Sequence, residues 1–124
     1  MFGGYRDAVK HVYYRNRSMT NDQSIGRQAM GSEAPKLAQL TDQVLYGDIW
    51  ERPQLSKRER SIATVAALVA MYRVEQLPFH LDLALKHGVG KDELAEIVTH
   101  LAFYCGWPAA HSAVRLLAPL RTDP

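Results

Sequence analysis

The twelve residues Ser61-Ile62-Ala63-Thr64-Val65-Ala66-Ala67-Leu68-Val69-Ala70-Met71-Tyr72 carry no charge and little polarity. Ahead of them stands Leu55-Ser56-Lys57-Arg58-Glu59. Ser56 and Glu59 have the spacing of a capping box, and Leu55 is placed to act as a hydrophobic staple. Cap and run together predict one long helix, apolar nearly all round, that has to be covered on most sides. A chain of 124 residues seldom surrounds such a helix by itself. The expectation is an all-α domain that associates with other copies of itself.

The remaining chain supplies the other helices. One begins near Leu77-Pro78 and ends at His87-Gly88, with Leu77, Leu81, Ala84 and Leu85 as its apolar face. Asp82 and Lys86 form an i,i+4 pair on its wet side. After the turn Val89-Gly90-Lys91-Asp92-Glu93, the residues Leu94, Ile97, Val98, Leu101, Ala102 and Cys105 recur at helical spacing until Gly106 closes the pattern. Pro108 opens the last helix, with Ala109, Ala110, Ala113, Val114 and Leu117 as its core face, and the end from Pro119 to Pro124 is expected to fray. Upstream, Ser32-Glu33-Ala34-Pro35 reads as a helix start, since proline is tolerated in a first turn. Leu37, Leu40, Val44 and Leu45 continue it as an apolar stripe, and Gly47 ends it. Trp50, in the loop from Asp48 to Pro53, needs something to pack against. No stretch reads as a strand, so the predicted fold is all-α, a bundle of five to six helices. Residues 1–24 read as a basic amphipathic arm, with Tyr5, Ala8, Val9, Val12 and Tyr13 interleaved with Arg6, Lys10, Arg15 and Arg17. Residues 25–118 form the helical domain.

Charge and cysteine usage exclude several classes. A net charge of +2 gives no reason to expect nucleic acid. The longest apolar run, Ile62 to Tyr72, falls short of the roughly 18 residues a membrane span needs. The N-terminus lacks the basic-then-apolar form of a signal peptide, so a cytoplasmic protein is expected. Cys105 is the only cysteine, which excludes an intrachain disulfide and a Cys-x-x-Cys redox pair.

Four segments carry a resemblance. They are Leu55-Ser56-Lys57-Arg58-Glu59-Arg60-Ser61, Glu75-Gln76-Leu77-Pro78-Phe79-His80, Ala84-Leu85-Lys86-His87-Gly88-Val89 and Tyr104-Cys105-Gly106-Trp107-Pro108-Ala109-Ala110. In this order and spacing the chain resembles the carboxymuconolactone decarboxylase family from about Ile25 to Leu117. The resemblance implies an AhpD-like all-helical fold assembled as a homo-oligomer, a trimer or hexamer. One branch of that family resembles the alkylhydroperoxidase AhpD, whose Cys-x-x-Cys-x-x-x-His motif ends at a histidine matching His80. The two cysteine positions are then Arg73 and Gln76, and neither forms a thiolate, so the peroxidase reading is disfavoured. The other branch decarboxylates 4-carboxymuconolactone in aromatic catabolism without cysteines, metal or organic cofactor. The Tyr-Cys-Gly-x-Pro-Ala-Ala block is similar to that branch, as is Gly26-Arg27-Gln28-Ala29-Met30-Gly31. Between Gly31 and Pro35 the chain is shorter than the decarboxylase pattern and lacks its additional acidic and histidine residues.

Loss of CO2 leaves an electron pair that must be accepted, then a proton must reach carbon, and any remaining carboxylate must be held. A histidine suits the first two tasks because its pKa lies near working pH. Arginine suits the third by bidentate pairing. His80 is the candidate acid, with Glu33 and Glu75 as candidate partners that orient or charge it. Arg60 and Arg73 are candidate anion-binding residues, and Cys105 and Trp107 are candidates to line the pocket or the core. Each has a plainer reading: a core histidine, helix-start carboxylates, surface cations. His87, His100 and His111 are scattered over three helices without a carboxylate or thiol at ligand spacing, so no metal site is expected. The partner implied is a small anionic substrate. The alternative is a non-catalytic or ligand-binding homo-oligomer of the same fold, in which His80 would be sealed by apolar neighbours.

Overall fold

The computed structural model describes residues 25–122, so the basic arm expected over residues 1–24 lies outside the described residues. The described residues form six α-helices and no strand: α1 (Ile25–Met30), α2 (Pro35–Leu40), α3 (Lys57–Ala70), α4 (Leu77–Lys86), α5 (Lys91–Cys105) and α6 (Trp107–Leu117). The chain divides into two compact units, the first ending at Leu55 and the second beginning at Ser56.

In the first unit, α2 starts at Pro35 as its sequence requires and continues without a break into a π-helical turn, Thr41–Tyr46. A 3₁₀ turn, Ile49–Glu51, follows. Asp42, within the π turn, caps α1. The backbone N–H of Gly26 donates to Asp42 Oδ1 at 2.7 Å, and that of Arg27 donates to Oδ2 at 3.2 Å. These are N–H groups that a helix start leaves without an intrahelical acceptor. Only glycine fits at position 26, because a Cβ there would lie 2.6 Å from the carbonyl oxygen of Ala38. The stripe Leu37, Leu40, Val44 and Leu45 is exposed, contrary to expectation, and Ala38 is the residue that α2 buries. The stripe has helical spacing, but among the described residues the six-residue α1 does not cover it. Trp50 is buried, with its ring 5.9 Å from that of Tyr46.

The second unit is built on α3. Glu59 N–H donates to Ser56 Oγ at 3.0 Å and Ser56 N–H to Glu59 Oε1 at 2.8 Å, which closes the predicted capping box. Leu55 does not act as a staple: it is exposed, and the position one turn into the helix is Arg60. α3 packs against α4, α5 and α6 through Ser61, Val65 and Val69, an i, i+4, i+8 face. Ala63, Ala67 and Ala70 are exposed. Among the described residues the helix is therefore not covered on most sides, because α4, α5 and α6 occupy a single face. Thr64 satisfies its hydroxyl by donating back to the Arg60 carbonyl at 2.8 Å.

Two helices end in the same turn with different residues. At the end of α3, Tyr72 N–H donates to the Val69 carbonyl and Arg73 N–H to that of Leu68. At the end of α4, Gly88 N–H donates to Leu85 and Val89 N–H to Ala84. Both are Schellman turns, which place one residue in the left-handed region. Gly88 takes φ +92 there without penalty. Tyr72 takes φ +59, a conformation that costs an L side chain about 1 kcal/mol or more.

The turn after α4 is tied to the start of α3. Arg58 pairs with Glu93, and its Nε donates to the Gly88 carbonyl at 3.4 Å. Glu93 in turn accepts from Gly90 N–H at 3.0 Å, and these contacts, the backbone bond first, hold its carboxyl below the usual carboxylate range. On α5 the predicted face is realised: Leu94, Val98 and Ala102 are buried, and Ile97, Leu101 and Cys105 pack against the core. On α6 Ala110, Ala113 and Leu117 are buried, whereas Val114 is exposed. The end of the chain is docked further than expected. Leu120 is 5% exposed in the core, and Lys91 Nζ donates to the carbonyls of Leu120 at 3.3 Å and Ala118 at 3.5 Å.

Candidate active site

His80 sits in the first turn of α4, which Leu77-Pro78 opens. Proline is acceptable there because its missing N–H would have no intrahelical acceptor. Leu77, Leu81 and Ala84 of the same helix face the core. The ring of Phe79 meets that of His80 edge to face, with centroids 4.9 Å apart. His80 itself is half-buried, with Nδ1 shielded from solvent. Burial disfavours its charged form and lowers its pKa from the usual 6.5 to about 4, and the charge of His87 pushes the same way. At neutral pH the site therefore holds a neutral imidazole, with one nitrogen able to donate and the other to accept.

His87 was not among the residues singled out by sequence, yet it belongs with His80. Seven residues make nearly two helical turns, and His87, the C-cap residue of α4, is near enough for its charge to lower the His80 pKa. His87 Nδ1 lies 2.9 Å from the hydroxyl of Ser61, which is 1% exposed on α3. The spacing of seven was a readable signal. Counting histidines per helix obscured it, and nothing in the α3 sequence announces Ser61 as a hydrogen-bond partner.

The other candidates are distributed as follows. Arg60 is half-buried on α3, directly before Ser61. Arg73 and Glu75 are exposed in the corner between α3 and α4, where Arg73 joins the two helices by accepting Leu77 N–H at its carbonyl. Glu33 is exposed in the first unit, in the turn between α1 and α2. Cys105 is half-buried at the end of α5, where its thiol donates to the Leu101 carbonyl at 3.1 Å. Trp107 is not a core residue of the chain; it is 63% exposed, with its ring edge-to-face on Phe103 at 5.2 Å. A groove of about 360 Å³ lies within the first unit, lined by Arg27, Gly31, Pro35, Ala38, Gln39, Asp42 and Gln43, and contains none of these candidates. Among the described residues no three His, Cys, Asp or Glu side chains are grouped as a metal site would need. Nor is any described helix long and apolar enough to cross a membrane.

An all-α chain whose second unit presents a neutral, half-buried histidine from a Leu-Pro-Phe-His helix start defines a narrow class of helical-bundle protein. The carboxymuconolactone decarboxylase family matches residues 35–119, and the chain belongs to that family. It is 39% identical over 78 residues to the 4-carboxymuconolactone decarboxylase of Acinetobacter baylyi, an alignment covering 63% of this chain and 58% of that protein. It is 32% identical over 76 residues to the nitrosuccinic acid decarboxylase of Metarhizium robertsii, covering 61% and 53% respectively. The chain thus spans a little over half the length of each of these relatives.

Proposed function

We propose that this protein is a cofactor-independent carboxy-lyase that removes CO2 from a small anionic lactone or related acid in cytoplasmic aromatic-compound catabolism. The observation that carries this reading is His80, a neutral imidazole at the histidine position of the family motif. In the proposed reaction the carbon–carboxylate bond breaks, CO2 leaves, and the bonding electron pair moves into a conjugated acceptor, the carbonyl system of a lactone. The resulting dienolate then takes a proton at carbon. His80 hydrogen-bonds the developing oxyanion and delivers that proton. Docking of an anion beside the ring favours its charged form and raises the low pKa, so the substrate itself brings the imidazole toward an acid. Arg60 and Arg73 are proposed to hold the carboxylate that stays. Glu33 and Glu75 are proposed to orient or charge the imidazole, and Cys105 and Trp107 to line the pocket.

Two relatives are named as decarboxylases of different acids, one a lactone and one a nitro compound. Both names describe acids with an electron acceptor close to a carboxylate, which is the feature the proposed reaction requires. The test is CO2 release from 4-carboxymuconolactone and from nitrosuccinate by the full chain. His80→Ala should lower kcat by about 10²–10⁴, the usual worth of a positioned acid. No release from either acid, together with ligand binding unaltered by His80→Ala, would refute the reading.

We also propose that copies of the chain associate. The uncovered alanines of α3 and the exposed Phe103, Tyr104 and Trp107 at the junction of α5 and α6 support this, since monomers rarely leave such apolar surface open.

A further inference from the structure

Tyr72 stands where its own turn prefers another residue. The matching turn of α4 uses Gly88, and a Cβ at position 88 would meet nothing within 4 Å, so backbone conformation alone accounts for that glycine. At φ +59 Tyr72 bears the same conformational demand with a bulky side chain. Burial does not offset it, because the side chain is 57% exposed. Strain of this kind persists where the surroundings over-determine it, and it clusters at functional sites.

Its surroundings indicate a use. Tyr72 precedes Arg73 in the corner that leads into α4, the helix carrying His80. Ser112 Oγ donates to the phenolic oxygen at 3.3 Å from α6, a helix that packs against both α3 and α4. Receiving that bond fixes the oxygen in place and leaves the phenolic O–H as a donor. A fixed, partly exposed O–H on the residue that precedes Arg73 in the chain is suited to an anionic oxygen.

We propose that Tyr72 is a substrate-binding residue, its phenol donating a hydrogen bond to the carboxylate that the substrate retains. This rests on the carboxy-lyase reading for the identity of the ligand, and extends it to a residue that no sequence pattern singles out.

The test combines a stability arm and a binding arm on the full chain. Tyr72→Asn places a residue that tolerates the left-handed region, and its melting temperature should rise by about 3–5 °C. Tyr72→Phe should melt like the wild type. The binding probe is muconolactone, which keeps the lactone and the retained carboxylate but lacks the 4-carboxyl group that leaves as CO2. Calorimetry should show its Kd raised about tenfold or more in both variants, the effect of losing a hydrogen bond to a charged group. With 4-carboxymuconolactone as substrate, KM should rise while kcat changes little in Tyr72→Phe. A fall in melting temperature for Tyr72→Asn overturns the proposal by making the tyrosine a structural residue. So does wild-type affinity for muconolactone in Tyr72→Phe, or a wild type that does not bind muconolactone. If CO2 release is absent but Tyr72-dependent binding is present, the lyase reading fails and this one stands. If CO2 release depends on His80 and not on Tyr72, the reverse holds.

Discussion

The hydroxyl of Ser61 and Nδ1 of His87 lie 2.9 Å apart, joining the first half of α3 to the C-terminal end of α4. Ser61 is the buried polar side chain of the core and His87 is half-buried. Ser61→Ala takes a partner from His87 without opening a large cavity. A loss of about 1–3 kcal/mol in urea-unfolding free energy is expected, the cost of an unmet buried polar group.

The low pKa of His80 sets a pH dependence. Between pH 6.5 and about 4 the unfolded chain binds a proton at this residue that the folded chain does not. Stability therefore falls as the pH drops through that window, at up to about 1.4 kcal/mol per pH unit and less to the extent that solvent screens the half-buried ring. His80→Gln should flatten this part of the profile. Thermal melts from pH 4 to 7.5 would show it, with His87 left in place in both proteins.

Gly88 and Gly26 are needed for different reasons. Gly88→Ala meets open space but must hold φ +92, so it should cost about 1–2 kcal/mol, and Gly88→Asn less. Gly26→Ala has ordinary backbone freedom but would drive Cβ to 2.6 Å from the Ala38 carbonyl and 2.8 Å from Asp42 Oδ1. Asn should give no advantage over Ala at position 26. Denaturant melts of the four variants separate the two causes.

Association of copies predicts that a charge on the uncovered surface is disruptive. Phe103 is 74% exposed and Tyr104 77%, so Phe103→Glu should leave the fold of the single chain intact while lowering the assembled mass in light scattering. An unchanged mass would place the interface elsewhere.

Legibility in the sequence followed the range of the forces involved. Helix starts were readable because their determinants are local: the capping box at Ser56 and Glu59, and the prolines of α2, α4 and α6. The α5 face was readable because three turns of apolar spacing leave one solution. What failed were statements about coverage. Leu37, Val44 and Val114 have core periodicity yet are exposed, and periodicity does not report whether anything covers a face. The docking of Leu120 depends on Lys91, 29 residues away, and no local pattern could have shown it. The place of His80 at a helix start was legible from Leu77-Pro78. Its low pKa was not, since that depends on burial and on His87. Tyr72 gave no signal, because a left-handed residue can be anticipated when it is glycine and hardly at all when it is tyrosine.

The π-helical turn at Thr41–Tyr46 accommodates one residue more than ordinary winding would hold. An α-helix advances roughly 100° per residue and a π turn advances less, so five α-helical residues turn about as far as these six. Deleting one residue there would let the segment rewind as α-helix and leave Trp50 on its buried side. The same deletion in the α-helical residues just before it has no such slack, and would swing the chain from Gly47 to Leu55 through about 100°.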